Sequence, residues 1–209
     1  MATEKTNSNY EGFDALRFLP DLRPLRLLDV GCSNCPEAAS LIQAGIDLVG
    51  IDIDEVTLIE IREQYPEAQF RCADASLFSL NGEPQFDAIL VRRPDLLIQP
   101  ARWSLVFNRM QDWLAPNGLI LITTPEQTEA SMAIQWLSEA GYSPVQAETL
   151  TNDEEHFLVS ARQLPTPVEP FVNPLQLPSN VRVWEDDGDQ DALICDPRTG
   201  QCTPVMNEK

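Results

Sequence analysis

No run of apolar residues in this 209-residue chain is longer than a strand needs, so nothing in the sequence is expected to span a bilayer. The opening residues, MATEKTNSNYEGF, are polar and lack the apolar core of a secretory signal. Cysteine is sparse. Five thiols are too few for a disulfide scaffold at this length, and an odd number leaves one unpaired, which predicts reduced thiols and a cytoplasmic setting. Positive charge is scarce as well: 14 Lys and Arg stand against 33 Asp and Glu, a formal charge of −19. That balance repels a phosphate backbone and argues against a nucleic-acid partner. Histidine occurs once, at His156, where it opens an apolar strand and reads as a sheet-edge residue rather than an acid or base.

What is present is an ordinary globular composition, 43% hydrophobic and 22% charged, with length for one sizeable core and an appendage. From Leu25 to Arg162, short apolar runs alternate with segments of helical period, the pattern of a mostly parallel sheet with crossover helices. Seven strands are expected: 25–30, 47–51, 68–72, 86–91, 118–123, 144–150 and 156–161. Helices are expected over 36–44, 54–65, 100–114 and 126–140, with a short one over 11–19. In the third, Trp103, Val106, Phe107, Met110, Trp113 and Leu114 share one stripe and read as core. After Arg162, prolines at 165, 167, 170, 174 and 178 forbid regular structure, so residues 163–209 read as an extended, acidic arm. Within it, 181–184 and 192–195 are strand-like, and a turn over 196–200 before 201–205 allows a small hairpin.

In an open parallel sheet, ligands sit outside the carboxyl ends of the strands. The first strand ends in LLDVGCSNC, which supplies Asp29, Gly31, Cys32, Ser33 and Cys35. Asp52 and Ile53 follow in VGIDID, Asp74 and Ala75 in CADAS, and Arg92, Arg93 and Asp95 in FDAILVRRPD. A carboxylate at the tip of the second strand can accept both ribose hydroxyls. Asp74 can accept an adenine amino group, with Ile53 and Ala75 on the two faces of the ring. Gly31 lets backbone approach a ligand closely.

Together these motifs resemble the class I S-adenosylmethionine-dependent methyltransferases, over roughly three quarters of the chain. DVGCSNC, VGIDID, CADA and FDAIL look like the first four motifs, the last being the strand that ends beside the methyl group. WLAPNGLILITTP and LSEAGYSPV with HFLVSAR look like the fifth strand and the closing hairpin. The resemblance implies an α/β three-layer sandwich, with a seven-stranded sheet of order 3-2-1-4-5-7-6 over residues 1–162. It also implies S-adenosylmethionine as cofactor, held by Asp29, Gly31, Cys32, Ser33, Asp52, Ile53, Asp74, Ala75 and Arg92. One departure stands out: Ser33 and Cys35 occupy positions where the family usually has glycine, so a Cβ and a sulfur must fit where backbone normally meets the methionine part.

Methyl transfer from a sulfonium is a direct displacement, so alignment and exclusion of water matter more than a triad. Arg92, Arg93 and Asp95 are the catalytic candidates. The arginines either hold an anionic acceptor or pair with nearby acids, and Asp95 orients or deprotonates the acceptor. The implied substrate is a small molecule or a protein side chain. The altered first motif leaves a second reading open, a catalytically silent binding or assembly module, with the acidic arm engaging a protein partner. A nicotinamide enzyme is disfavoured, because its pyrophosphate needs the glycines missing after Gly31. No metal is expected: Cys32 and Cys35 line a loop, Cys195 and Cys202 are spaced too widely for the usual zinc pair, and the run 185–191 lacks the ligand spacing of a calcium loop.

Overall fold

A computed structural model describes residues 13–21, 24–151, 155–164, 193–195 and 202–204. Strands β1 (Leu25–Val30), β2 (Ile46–Asp52), β3 (Gln69–Cys72), β4 (Phe86–Arg92), β5 (Leu114–Thr124), β6 (Val145–Thr149) and β7 (Phe157–Arg162) form one sheet in the order β3-β2-β1-β4-β5-β7-β6. The first five run parallel, and β7 lies antiparallel between β5 and β6. The helices are α1 (Ala38–Gln43), α2 (Glu55–Gln64), α3 (Pro100–Trp113) and α4 (Gln127–Glu139). Among the described residues, no helix is long and apolar enough to cross a membrane.

Central strands of such a sheet must be apolar on both sides, and β1 and β4 are buried along most of their length. Alternate residues serve the two faces. Leu28, Val30, Ile89 and Val91 pack under α3 and α4 through Phe107, Met110, Trp113 and Leu137. Leu25, Leu27, Leu48 and Leu90 pack under α1 and α2 through Leu41, Leu58 and Ile61. Burying both faces leaves the strand tips as the place where polar groups can collect.

Several boundaries move for local reasons. The helix expected over 11–19 contracts to a single 3-10 turn, Ala15–Arg17, because Asp14 accepts from Leu16 N–H and fixes the chain there, while Phe13 and Phe18 stack at 5.3 Å; residues 11 and 12 lie outside the described residues. Helix α1 starts at Ala38 rather than Pro36, which leaves Pro36 in a turn and Glu37 as the cap. Strand β5 starts at Leu114, four residues before the expected Gly118: Leu114 pairs with Phe86, and the ladder then shifts register before Ala88 meets Leu119. Asn117, at φ +64°, takes up the irregularity.

The chain divides into two compact units, Met1–Phe171 and Val172–Lys209. In the second, Leu193–Cys195 (β8) pairs antiparallel with Cys202–Pro204 (β9), which sets Cys195 opposite Cys202. The proline arm, the strand-like run 181–184, the acidic run 185–191 and the turn 196–200 lie outside the described residues.

Candidate functional site

The loop after β1 repeats a left-handed backbone at every second residue: Gly31 at φ +71°, Ser33 at +46° and Cys35 at +39°. Two of those positions carry side chains in a region that favours glycine, so the loop keeps the backbone path of a glycine motif without its glycines. Hydrogen bonds hold it there. The N–H groups of Gly31 and Cys32 both donate to Ile51 O, and Ser33 N–H donates to Asp52 Oδ2 at 2.8 Å. Asp54 N–H takes Asp52 Oδ1 at 2.9 Å, so the Asp52 carboxylate is fixed on both oxygens with lone pairs to spare.

Both sulfurs of the loop turn inward. Cys35 Sγ donates to Asp29 Oδ2 at 3.2 Å, and Cys32 lies against Gly50, where an added Cβ would stand 2.8 Å from its sulfur. Burial pushes both thiols far above their usual range, which leaves them protonated and poor metal ligands or nucleophiles. Ser33 is exposed at the surface of the loop. Neither residue obstructs the space above Gly31, where a Cβ would meet nothing within 4 Å.

That space belongs to a cleft of about 200 Å3. One wall is the row of strand tips: Val30 and Gly31, then Ile51, Asp52 and Ile53, then Ala73 and Ala75. The other is Asp95 with Gln99, Arg102, Trp103 and Val106 from the start of α3. Trp103, expected in the core, does pack against it, yet its ring also faces the cleft and its indole N–H donates to Asp95 Oδ1 at 2.5 Å. Gln99 Nε2 donates to the other oxygen of Asp95 at 2.6 Å. Asp74 lies behind this wall: its Oδ1 accepts from Ser76 N–H and Oγ and pairs with Arg102 at 2.9 Å. The Ser76 hydroxyl and then Arg102 hold its carboxyl below the ordinary aspartate range.

At the tip of β4 the arrangement differs. Arg92 is enclosed between Glu37, the cap of α1, and Glu155, just before β7, with Nε on Glu155 Oε1 at 2.7 Å. Glu155 Oε1 also accepts from Thr123 Oγ1 at 2.7 Å, so β4, β5, α1 and the start of β7 meet in one polar cluster. Asp29, 2% exposed, lies beside it. Burial raises Asp29 to about 6, against the opposing pull of Cys35 and Arg92, and raises Glu37 to about 7, against Arg92. Among the described residues, Asp29 Oδ1 and Glu37 Oε2 are buried without a hydrogen-bond partner.

Of the residues expected to hold a cofactor, Gly31, Asp52, Ile53 and Ala75 line the cleft. Asp29 and Cys32 lie beneath the loop, Ser33 on its outer side, Asp74 behind Arg102, and Arg92 in its ion pairs. Among the catalytic candidates, Asp95 is in the cleft wall and Arg93 is exposed at φ +45°. His156 is exposed, and its backbone N–H donates to Thr124 O. Among the described residues, no group of three or more His, Cys, Asp or Glu is placed to hold a metal ion.

Sequence reasoning did not single out Glu37, Glu155, Gln99 or Arg102. Glu37 had a signal, an acid just after Pro36 at a helix start. Arg102 had a weaker one, a cation just beside the apolar stripe of α3. Glu155 had none, since its partner is 63 residues away.

A family model described as a methyltransferase domain matches residues 27–118. A curated relative, the ubiquinone biosynthesis O-methyltransferase of Azorhizobium caulinodans, is 29% identical over 127 residues, covering 59% of this chain and 49% of that protein. The chain thus spans about half the length of the curated relative it matches. Among solved structures, an S-adenosylmethionine-dependent methyltransferase from Mesorhizobium loti superposes with a TM-score of 0.57 at 18% identity, over 71% of this chain and 96% of that one. The N-methyltransferase NodS of Bradyrhizobium japonicum WM9, in complex with S-adenosyl-L-homocysteine, gives 0.57 at 17% identity, over 66% and 77%. At these identities the likeness is one of fold.

Proposed function

We propose, from a fold like that of the class I, seven-stranded S-adenosylmethionine-dependent methyltransferases and a methyltransferase-domain match over residues 27–118, an enzyme that binds S-adenosylmethionine in the cleft above Gly31 and passes its methyl group to a small molecule or a protein side chain. The cofactor supplies an electrophilic methyl on a sulfonium, and the protein's part is to hold and align. Asp52, fixed by Ser33 and Asp54, has the free lone pairs to accept ribose hydroxyls. Ile53 and Ala75 offer apolar faces to a purine, and Gly31 gives passage to the amino-acid arm toward Asp29. Asp95, oriented by Trp103 and Gln99, is the carboxylate best placed to orient an acceptor or take its proton. With Arg92 committed to Glu37 and Glu155, an anionic acceptor has no clamp there, which supports an acceptor recognised through apolar contact and Asp95. The name of the Azorhizobium relative supports a small-molecule acceptor over a protein.

The observation that carries this reading is the open left-handed glycine beside Asp52, Ile53 and Ala75 in a single cleft. Its test is calorimetric titration with S-adenosylmethionine and S-adenosylhomocysteine. Saturable binding of both is expected, and failure of both to bind sinks it. A silent binding module is the second reading, favoured by Ser33 and Cys35 in the first motif. It separates from the first by turnover: a bound cofactor that no acceptor panel ever discharges speaks for the module. The free thiols Cys32, Cys35 and Cys72 support a reducing, cytoplasmic setting, and the acidic extension after residue 162 is the segment we assign to a protein partner.

A further inference from the structure

Under the loop that receives the amino-acid arm lie three buried acids, Asp29, Glu37 and Glu155, and one buried guanidinium, Arg92. A buried carboxylate oxygen without a partner among the described residues is costly unless something else satisfies it. Asp29 Oδ1 and Glu37 Oε2 are such oxygens. Resting on the cofactor assignment above, we propose that Asp29 and Glu37 form a charge-sensing pair that makes the site prefer the sulfonium cofactor over its thioether product, by releasing a proton when the sulfonium binds.

The charge difference between the two nucleosides is a matter of elementary chemistry. S-adenosylmethionine carries a sulfonium, an ammonium and a carboxylate, net +1. S-adenosylhomocysteine has lost the sulfonium and is net neutral. Everything else about the two is nearly identical in shape, so a site can tell them apart chiefly through the field at the sulfur. Charged groups surround the pair from every packed element. Asp29 on β1 faces Cys35 in the loop, Arg92 on β4 and Asp52 on β2. Glu37 at α1 faces Arg92, Asp29, and Glu155 before β7. Apart from Arg92, all of these are neutral or negative, and burial raises Asp29 to about 6 and Glu37 to about 7, so this pair still carries protons on the acid side of neutrality. A positive charge arriving above Gly31 favours the ionised carboxylates and drives a proton to bulk solvent; the neutral product does so less. After transfer, the cluster takes the proton back and the product's hold weakens.

The test is isothermal titration of the full-length protein with each nucleoside in two buffers of different ionisation heat, which counts protons released on binding. At pH 6.5, S-adenosylmethionine should release about half a proton more than S-adenosylhomocysteine, and the difference should vanish near pH 8.5 where both acids are already ionised. The ratio of the two dissociation constants should then move in favour of S-adenosylmethionine by roughly three- to tenfold between pH 5.5 and 8. Glu37→Gln, which keeps size and hydrogen bonding but cannot ionise, should cut the difference in proton count by about half. Equal proton release by both nucleosides in the unmodified protein overturns this proposal and leaves the cofactor assignment standing. Binding of neither overturns both.

Discussion

Ser33 N–H donates to Asp52 Oδ2 at 2.8 Å, so the loop after β1 and the tip of β2 move as one body. The same carboxylate orders the loop and presents lone pairs to the cleft. Asp52→Asn offers one oxygen where two were needed and must abandon either Ser33 or Asp54. Because the residue is half-buried at a strand tip, the fold should survive. Affinity for S-adenosylmethionine should fall by tenfold or more, the scale of one lost charge-assisted hydrogen bond at about 1.5–3 kcal/mol. Calorimetry checks it, and an unchanged dissociation constant would remove Asp52 from the site.

Gly31 and Ser33 share a left-handed backbone, but only one of them lines the cleft. Gly31→Ala should cost about 1–2 kcal/mol of stability from the backbone alone and weaken cofactor binding further, because its Cβ enters space the ligand needs. Ser33→Gly removes a strained Cβ on the outer side and should leave both stability and affinity at least as high. Thermal melts and titrations on the two variants separate the effects. Equal loss in both would mean that loop strain alone, and not occupancy of the cleft, governs binding.

The sheet was legible in the sequence because burial on both faces demands continuous apolar strands, and LRLLDV and FDAILV have almost no other way to be buried. Asp52 and Gly31 were legible because strand tips are where a parallel sheet collects polar chemistry. Trp103 was read as core from its helical spacing, and that spacing says which face of α3 turns inward without saying where the sheet beneath it ends. Its indole therefore could not be assigned to Asp95 in advance. The Arg92 cluster was least legible. Periodicity reports local geometry, whereas Glu37 and Glu155 reach Arg92 across 55 and 63 residues of chain, through the β4–β5–β7 order that only the assembled sheet supplies.

Buried Asp29 and Glu37, and Glu129 on α4, all have carboxyl groups pushed upward by burial, the first two to about 6 and about 7. The folded state thus binds protons that the unfolded chain has already released, so stability falls as pH rises from about 4 to about 7. Asp74 and Glu83 are shifted the other way by their hydrogen-bonded arginine and serine partners, and what they contribute is lost as pH falls through their lowered values. The melting temperature should therefore peak on the acid side of neutrality and decline toward pH 8. Self-repulsion at −19 has the same sign but is screened by salt. The decline should persist in 0.5 M NaCl and flatten in Glu37→Gln. A slope abolished by salt alone would assign it to the surface.

Arg92 holds its two carboxylates where water does not reach them freely, with its side chain 11% exposed. Arg92→Met leaves both acids without their cation and should destabilise the fold by about 3–5 kcal/mol, the usual cost of breaking a buried ion pair from one side. Adding Glu155→Gln to Arg92→Met should recover part of that loss, because one uncompensated charge disappears with it. Denaturant unfolding of the two variants measures the recovery. Additive losses in the double variant would show that Arg92 and Glu155 are not energetically coupled.

No helix connects β3 to β4: residues 73–85 cross as loop and turn, though they carry Ala73 and Ala75 to the cleft. Two things hold that loop to α3. Phe78 packs edge-on against Trp113 at 5.2 Å, and Arg109 donates from its two terminal nitrogens to Ser76 O and Phe78 O, both at 3.0 Å. Arg109 never reaches the cleft, so its influence on binding passes through the position of Ala75. Arg109→Met keeps the apolar stem but removes both donors, and should cost about 1–3 kcal/mol of stability as the carbonyls lose their partner. With the loop freed, the purine wall is no longer preorganised: the KM for S-adenosylmethionine should rise several-fold while kcat at saturating cofactor stays close to its original value. A purely structural role would lower the melting temperature and leave KM unmoved at temperatures where the variant is fully folded, and that result would detach Arg109 from the site.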